Sequence, residues 1–273
     1  MKNEKGCEVV LRSEEIAFLQ EHFCFTQEVS TDSPGMIRTS DLFDEAKCHL
    51  FLSQLSALLG SPSLKVTASQ FAKRYVYLAI LPALYAMSIW DKQLPVYTEN
   101  SWIESDFKQG RWLPRLRLER LATSSWRGSR EKWRDQVLHN LFAENVTTIW
   151  RALVRVTGIS ASILWENAAV YIFWLYEKKL KDLDQQKRLQ AFKDFQYLLQ
   201  ADPFLFGETE NPLAQWYTSK VYLIEEEELI RVRQTCCLYY QVNAEGLCCR
   251  TCPRRAKTLQ SEQQVEKPML LKM

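Results

Sequence analysis

Residues 160–176 read Ser160-Ala-Ser-Ile-Leu-Trp165-Glu-Asn167-Ala-Ala169-Val-Tyr-Ile-Phe-Trp-Leu-Tyr176. The stretch is longer than an ordinary strand and contains neither glycine nor proline, so we predict a helix over 160–181. Ser160 is expected to be its N-cap, because a serine oxygen can accept from the free amides of a first turn. The aromatic run 171–176 is predicted to lie in the core.

Helical patterns continue on both sides of this stretch. Long helices are predicted over 130–156 and 184–200. An earlier helix is expected to begin at the capping box Thr67-x-x-Gln70 and to run towards Trp90 with a kink at Pro82. Strict alternation predicts a strand at 115–119, and 94–98 is a second strand candidate. We therefore predict a mainly α protein of the α+β class: a helical domain with a small antiparallel sheet and a C-terminal cysteine-rich segment.

Composition excludes several classes of protein. The 273 residues are 47% hydrophobic, which is typical of a globular chain and not of a disordered one. The 35 basic and 33 acidic residues nearly cancel, so the overall charge indicates no partner. The longest uncharged apolar run, 75–90, is shorter than the ~20 residues of a membrane-spanning helix. The first residues do not resemble a secretory signal, and a cytoplasmic location is expected.

Five of the eight cysteines fall close together near the C-terminus: Cys236, Cys237, Cys248, Cys249 and Cys252. Cytosolic reductants oppose disulfides, so such a cluster more often binds metal. Three kinds of site remain open from spacing alone. A zinc site prefers two well-separated Cys-x2-4-Cys pairs, which a vicinal pair fits poorly, whereas a two-iron cluster accepts a less regular set. A dithiol redox site would need only Cys249 and Cys252.

The order Cys-Cys, ten residues, then further cysteines resembles the Cys-Cys-x10-Cys-x2-Cys motif of the FhuF-like ferric-siderophore reductases. In this sequence ten residues separate Cys237 from Cys248, and an extra Cys249 follows. Keeping Cys-x2-Cys selects Cys249, with Cys248 as the alternative ligand. The resemblance continues in the Leu-Trp-x-Asn-Ala-Ala sequence of 164–169 and in the apolar helix around Pro82.

This resemblance implies a cytoplasmic protein with a [2Fe–2S] cluster that reduces imported ferric siderophores and releases Fe2+. It implies Cys236, Cys237, Cys249 and Cys252 as cluster ligands. An external electron donor, such as a ferredoxin or a thiol, is then required, and a transient association with the inner face of the membrane is a further expectation. The alternatives are a non-enzymatic helical binding protein with a structural four-cysteine zinc site, a thiol-based sensor and a role in siderophore biosynthesis.

Residues 108–134 carry nine lysines and arginines against two glutamates. Many of these cations are expected to lie on a solvated face. No nucleic-acid-binding motif accompanies them, so a nucleic acid is not an expected partner. We predict instead that Arg111, Arg115 and Arg117 contact an anionic ferric siderophore. Asn167 is expected either to contact the same ligand or to satisfy a buried backbone group.

Four segments are predicted along the chain. Residues 1–39 form an N-terminal extension, and 40–235 form the helical siderophore-binding region of a single domain. Residues 236–253 form the cluster-binding segment. The polar residues 254–273 are expected to be a disordered tail.

Overall fold

The computed structural model describes residues 7–29, 36–105, 107–108, 111–223, 227–256 and 265–266. The predicted class is confirmed: the chain is mainly helical, with small sheets and a C-terminal cysteine-rich segment. None of the described helices is long and apolar enough to cross a membrane. The helices are α1 Ser13–Phe23, α2 Glu45–Leu59, α3 Leu64–Tyr75, α4 Leu81–Trp90, α5 Arg130–Leu141, α6 Thr147–Thr157, α7 Ala161–Trp174, α8 Gln185–Gln200 and the short α9 Pro253–Ala256.

The central helix runs without a break from Leu64 to Trp90 and is apolar on nearly every side, because other helices surround it. A π-helical turn, Val76–Ile80, joins α3 to α4 just before Pro82. Such a turn accommodates a residue that cannot donate to the helix ladder. The predicted start at Thr67 is wrong. Ser63 is the N-cap, and its hydroxyl accepts from the amide of Val66 at 3.4 Å.

The two long helices predicted around residue 150 and residue 170 are confirmed, and each contains a π-helical turn. Phe142–Val146 joins α5 to α6, and Leu175–Lys179 continues α7. Ser160 is the N-cap residue of α7, although its side chain makes no capping hydrogen bond. The predicted helix over 184–200 is also present, as α8.

Short strands cover one side of the helices. The predicted strand at 115–119 is confirmed as β7, with alternating burial, and it pairs antiparallel with β4 and parallel with β2. The other sheets have two or three strands. The strands are β1 Cys7–Val9, β2 Phe25–Thr26, β3 Ile37–Arg38, β4 Ser101–Glu104, β5 Phe107–Lys108, β6 Arg111–Trp112, β7 Arg115–Leu118, β8 Thr123–Ser125, β9 Lys220–Leu223, β10 Glu228–Ile230 and β11 Val265–Glu266.

The strand predicted at 94–98 is wrong. Pro95 has no amide hydrogen to donate to a ladder. The backbone instead makes a tight local turn, in which the amide of Val96 donates to the carbonyl of Leu94 at 2.9 Å. The side chain of Asn145 then donates to the carbonyl of Val96.

Both predicted terminal segments contribute to the described structure. Within 1–39, β1 pairs with β8, β2 pairs with β7, and α1 packs on α4. Within 254–273, residues up to 256 belong to α9 and β11 pairs with β9. The remaining residues of the predicted tail lie outside the described part of the chain. The segment boundaries stay predictions.

Helices α3 and α7 pack against each other and form the base of the C-terminal segment. Each carries polar residues where the two meet: Ser69 and Gln70 on α3, and Glu166 and Asn167 on α7. All four side chains are buried. A buried polar group requires a hydrogen-bond partner. Ser69, Gln70 and Glu166 find those partners in residues 234–237, and Asn167 finds its partner in Ser69.

Candidate metal centre and adjoining pocket

The five C-terminal thiols come together in one cluster. The Sγ atoms of Cys237 and Cys249 are 3.4 Å apart. The thiol of Cys252 interacts with those of Cys236 and Cys248; burial raises the pKa of both, and this interaction raises it further. Cys237 and Cys252 are buried, and the other three are partly buried. The predicted ligands are therefore neighbours in space, and the fifth thiol lies beside them.

The donor set fits a binuclear iron–sulfur group. Cys237 and Cys249 form an inner thiol pair, and Cys252 lies beside both Cys236 and Cys248. Two thiolates on one tetrahedral ion lie ~3.8 Å apart when the metal–sulfur distance is about 2.3 Å, and a [2Fe–2S] cluster needs one such pair for each iron. Among the described residues no three ligand-type side chains surround a single point.

Helix α3 fixes the backbone of the vicinal cysteines. The carbonyl of Cys237 accepts from the Ser69 hydroxyl and from the Gln70 amide, both at 2.8 Å. Asn167 on α7 supports this arrangement, because its amide donates to the Ser69 carbonyl at 3.2 Å and to the Ser69 hydroxyl at 3.1 Å. Asn167 is fully buried. Its side chain thus acts on the cluster segment through Ser69.

Glu166 fixes the residues just before the vicinal pair. Its carboxylate accepts from the backbone amides of Gln234 at 2.6 Å and Thr235 at 2.7 Å, and from the Thr235 hydroxyl. The guanidinium of Arg233 lies 3.5 Å away, and both side chains are almost wholly buried. Removing one partner of such a pair leaves an uncompensated buried charge, which typically costs about 3–5 kcal/mol. Glu166 therefore anchors the cysteine segment to α7.

Positive charge faces the inner thiol pair. The hydrogen bond with Cys249, together with the charges of Lys73 and Arg233, lowers the pKa of Cys237 to about 5. The Lys73 ammonium lies 3.9 Å from the Cys237 sulfur. The pKa of Cys249 is raised because it is the hydrogen-bonding partner of the Cys237 thiolate. Cys237 is therefore the thiol of the pair that carries the negative charge that metal binding requires.

The backbone after the vicinal pair is unusual. Leu238 adopts a left-handed conformation with φ of 61°. For a residue with a side chain this conformation costs about 1–3 kcal/mol and is typical of functional sites. Here it directs the Leu238 amide to the sulfur of Cys236, at 3.4 Å. Hydrogen bonds from amides to sulfur atoms are among the interactions that set the reduction potential of an iron–sulfur cluster.

The loop between the two halves of the motif is tied by Asn243. Its side-chain oxygen accepts from the amides of Glu245 at 3.0 Å and Leu247 at 3.1 Å. Gly246 has φ of +67° and open space around its α-carbon, so the loop turns there at little cost. The Cys252 amide then donates to the Cys249 carbonyl at 3.0 Å, which closes the Cys-x2-Cys turn.

A pocket of about 360 Å³ opens beside the inner thiol pair, and Cys249 is part of its wall. The opposite walls come from α7 and from β9 and β10. Its lining combines aromatic and cationic side chains with two glutamates, Glu166 and Glu177. The aromatic residues are Tyr77, Tyr171, Phe173, Trp174 and Trp216, and the cations are Lys73, Lys178, Lys220, Arg231, Arg233 and Arg250.

The predicted substrate contacts lie elsewhere. Arg117 donates to buried Glu104 at 2.6 Å, and Arg115 lies 3.9 Å from the same carboxylate on the sheet. The side chain of Arg111 lies outside the described part of the chain. Neither Arg115, Arg117 nor Asn167 lines the pocket next to the cysteines. That these residues contact the substrate stays a prediction. For Asn167, the observed hydrogen bonds to Ser69 are those expected if its side chain satisfies a buried backbone group.

Sequence reasoning missed Glu166 and the cations of the pocket. Glu166 had a usable signal, since it is the one charged side chain in the apolar run 160–176 and a buried charge needs a partner. The pocket cations gave no local signal. They come from residues 73, 178, 220, 231, 233 and 250, and only the tertiary structure brings them together.

Comparisons with known proteins identify the family of the chain. A family model described as "Ferric iron reductase FhuF-like transporter" matches residues 69–230. The match includes the second half of α3, all of α7 and most of the pocket wall, and it ends before Cys236. No protein with curated annotation matches the sequence.

One similar solved structure is the aerobactin synthetase IucC from a hypervirulent pathotype of Klebsiella pneumoniae, at 14% identity and a TM-score of 0.44. The similarity covers 68% of this chain and 36% of the synthetase chain, so it spans about a third of that protein. The family match extends over more than half of the 273 residues, and the chain belongs to the FhuF-like ferric iron reductase family.

Proposed function

We propose that this chain reduces the Fe3+ of ferric siderophores to Fe2+ through a [2Fe–2S] cluster held by Cys236, Cys237, Cys249 and Cys252. One observation carries the proposal. Cys249 belongs both to the inner thiol pair and to the wall of the pocket. A chelate in that pocket would therefore lie next to the electron carrier, with no protein layer between them.

When bound, the cluster would supply one electron to each ferric ion. The electron comes from an external one-electron donor, a ferredoxin-type protein or a thiol, so the donor is oxidised as the iron is reduced. Hard anionic oxygens bind Fe2+ less tightly than Fe3+, and the reduced ion dissociates from the chelate. The reaction needs no proton transfer from the protein and no covalent step.

The residues of the chain have three tasks in this proposal. Glu166, Asn167, Ser69 and Gln70 hold the cysteine segment on α3 and α7. Lys73 and Arg233 offset the negative charge of the thiolates. Within the proposal the chain acts in the cytoplasm on imported siderophores and contacts the inner face of the membrane only transiently.

A stoichiometric oxidation experiment tests the function. Anaerobically purified protein is reduced with dithionite, freed of reductant and mixed with a panel of ferric siderophores, while a ferrous chelator traps the product. We expect the visible spectrum to return to its oxidised form with one Fe2+ trapped for each electron lost. The Cys237→Ser variant, prepared in the same way, is the control and should release none. Reduced protein that keeps its spectrum with every ferric chelate would contradict the proposal.

A further inference from the structure

Three residues that line the pocket beside Cys249 carry buried hydrogen-bond donors without an acceptor. Among the described residues, Nη2 of Arg233, Nε of Arg231 and Nε1 of Trp216 are buried without a hydrogen-bond partner, and all three residues line the pocket. Arg233 is only 5% exposed. An unpaired buried donor costs about 1–3 kcal/mol, and more when it is charged. All three atoms are hydrogen-bond donors, so a ligand that satisfies them must offer hydrogen-bond acceptors.

The charges around the pocket favour an anionic ligand. Glu177 accepts from both Lys220 at 3.0 Å and Arg231 at 2.6 Å. Glu228, just outside the lining, is likewise shared by Lys178 and Arg250. Among the described residues, six cations thus face three carboxylates, Glu166 included, and the Cys237 thiolate, so cations outnumber the described anionic groups. One of these six, Lys73, also faces the Cys237 sulfur.

The walls of the pocket favour a flat ligand. Five aromatic side chains line it, and Trp174 is still 37% exposed there. The Arg231 guanidinium is fixed over the rings of Phe173 at 5.2 Å and Tyr217 at 4.2 Å, so its unpaired Nε is held in one orientation. Aromatic rings stack on such surfaces, and arginine pairs with anionic oxygens through directed hydrogen bonds.

Size limits how much of a chelate can enter. About 360 Å³ is at the small end of ligand pockets, which span roughly 300–1,000 Å³. One bidentate arm fits, whereas a complete hexadentate chelate does not. Three hydroxamate arms neutralise Fe3+ and are aliphatic, but three catecholate arms leave a trianion and are planar.

Resting on the proposed function, we infer that this pocket binds one aryl arm of an anionic ferric chelate, of the catecholate or phenolate type. Arg233, Arg231 and Trp216 donate to its oxygens, and the aromatic walls hold its ring. The specificity of the reductase is then set by this pocket, next to the electron carrier.

Binding of redox-inert gallium complexes to the cluster-loaded protein tests the inference by calorimetry, without any electron transfer. Gallium(III) has the charge of Fe3+ and nearly its size. We expect the tris-catecholate complex to bind about tenfold tighter than a neutral trihydroxamate, and tighter than a citrate complex. Equal or tighter binding of the trihydroxamate would overturn the inference. Binding of citrate as tight as that of the catecholate would also overturn it, because charge alone would then suffice.

Two matched arginines sharpen the test. Arg231→Gln should weaken catecholate binding about tenfold. Arg134→Gln is the control, since Arg134 also pairs with a carboxylate, Asp194, at 3.3 Å and lies over a tyrosine ring, but on α5. If Arg231→Gln does not fold, Trp174→Leu at the exposed edge of the pocket should weaken the same binding. Undiminished binding in the folded pocket variant would contradict the inference.

The outcomes separate the inference from the proposed function. Protein that binds gallium catecholate as expected but reduces no ferric chelate would refute the reductase function and leave the binding site standing. Protein that reduces catecholates, hydroxamates and citrate alike, with equal affinities for their gallium complexes, would refute the inference and leave the reductase function standing.

Discussion

Two cationic regions of this chain differ in what surrounds their charges. In the dense segment 108–134, cations pair with buried carboxylates of other elements: Arg117 pairs with Glu104 on β4, and Arg130 and Arg134 converge on Asp194 on α8. Around the pocket, pairs of cations likewise share single carboxylates and buried donors remain unpaired, but these residues line a pocket of about 360 Å³ beside Cys249. A ligand is attracted by excess charge in the folded protein. The number of basic residues in a sequence window does not measure that excess.

The largest effect should come from the thiols themselves. Cys237→Ser removes the buried member of the inner pair, and we expect the variant to retain no iron, because serine is a poor ligand for this soft cluster. Iron and sulfide content of the anaerobically purified variant is the measurement. Cys24→Ser, at a free and exposed cysteine, is the matched control and should keep wild-type content. A brown Cys237→Ser protein would exclude Cys237 as a ligand.

Two buried glutamates provide a direct contrast between the regions. Glu166→Gln and Glu104→Gln each leave an arginine without its carboxylate, so each should lower the free energy of unfolding by about 3 kcal/mol. Only Glu166→Gln should also reduce iron retention, by about tenfold, since it anchors the backbone before the cysteines. Denaturant unfolding and iron loss to a chelator measure the two quantities. Equal iron retention in both variants would show that Glu166 is merely structural.

Asn167 and Asn145 allow a similar comparison, in which the expected loss of stability is smaller. Asn167→Ala removes the hydrogen bonds to Ser69 and should lower the free energy of unfolding by about 2 kcal/mol and speed iron loss. Asn145→Ala, at an equally buried asparagine that bonds Tyr75 instead, should lower stability alone. If Asn167→Ala raised KM for the siderophore without affecting iron retention, Asn167 would be a substrate contact.

The excess charge of the pocket should make the reaction sensitive to salt. Between low and physiological ionic strength we expect kcat/KM for an anionic ferric chelate to fall by a factor of about 3–10, with a neutral chelate unaffected. Lys220→Gln should reduce this dependence on salt. The control is Lys187→Gln, at a lysine of α8 that pairs with Asp184, and it should leave the dependence unchanged. Stopped-flow rates over a series of salt concentrations measure the dependence. A salt-independent rate for the anionic chelate would remove the electrostatic role of the pocket.

The smallest effect should be that of Cys248→Ser. In the observed arrangement Cys249, and not Cys248, contacts Cys237, whereas the thiol beside Cys248 is that of Cys252. We expect the variant to keep its iron and sulfide content, whereas Cys249→Ser should lose both. The reverse result would transfer the third ligand to Cys248 and contradict the preference for an unaltered Cys-x2-Cys turn.

Local signals in the sequence were sufficient for most of the helices. The apolar run 160–176 and the alternating 115–119 gave correct elements, because their patterns match the periods of helix and strand. The capping box at Thr67 failed because Ser63 offers an earlier cap, and the strand at 94–98 failed because Pro95 cannot donate. Neither error changed the fold class.

In the candidate site, too, local sequence signals were sufficient for one part and not for the other. The cysteines were predictable because they are close in sequence, and their spacing carries information. The pocket was not, because its cations come from residues as far apart as 73 and 250. Arg115 and Arg117 were predicted as substrate contacts because basic residues are dense in 108–134. That density gives no information about Glu104, which lies on the neighbouring strand and pairs with Arg117.

The most direct test of the account is the metal content of the protein itself. Purified without oxygen, the wild-type chain should be brown, contain two irons and two acid-labile sulfides for each polypeptide, and bleach on addition of dithionite. Colourless protein that holds one zinc for each chain, and that takes up no cluster when iron and sulfide are supplied, would contradict it. The pocket beside Cys249 would then have no electron source.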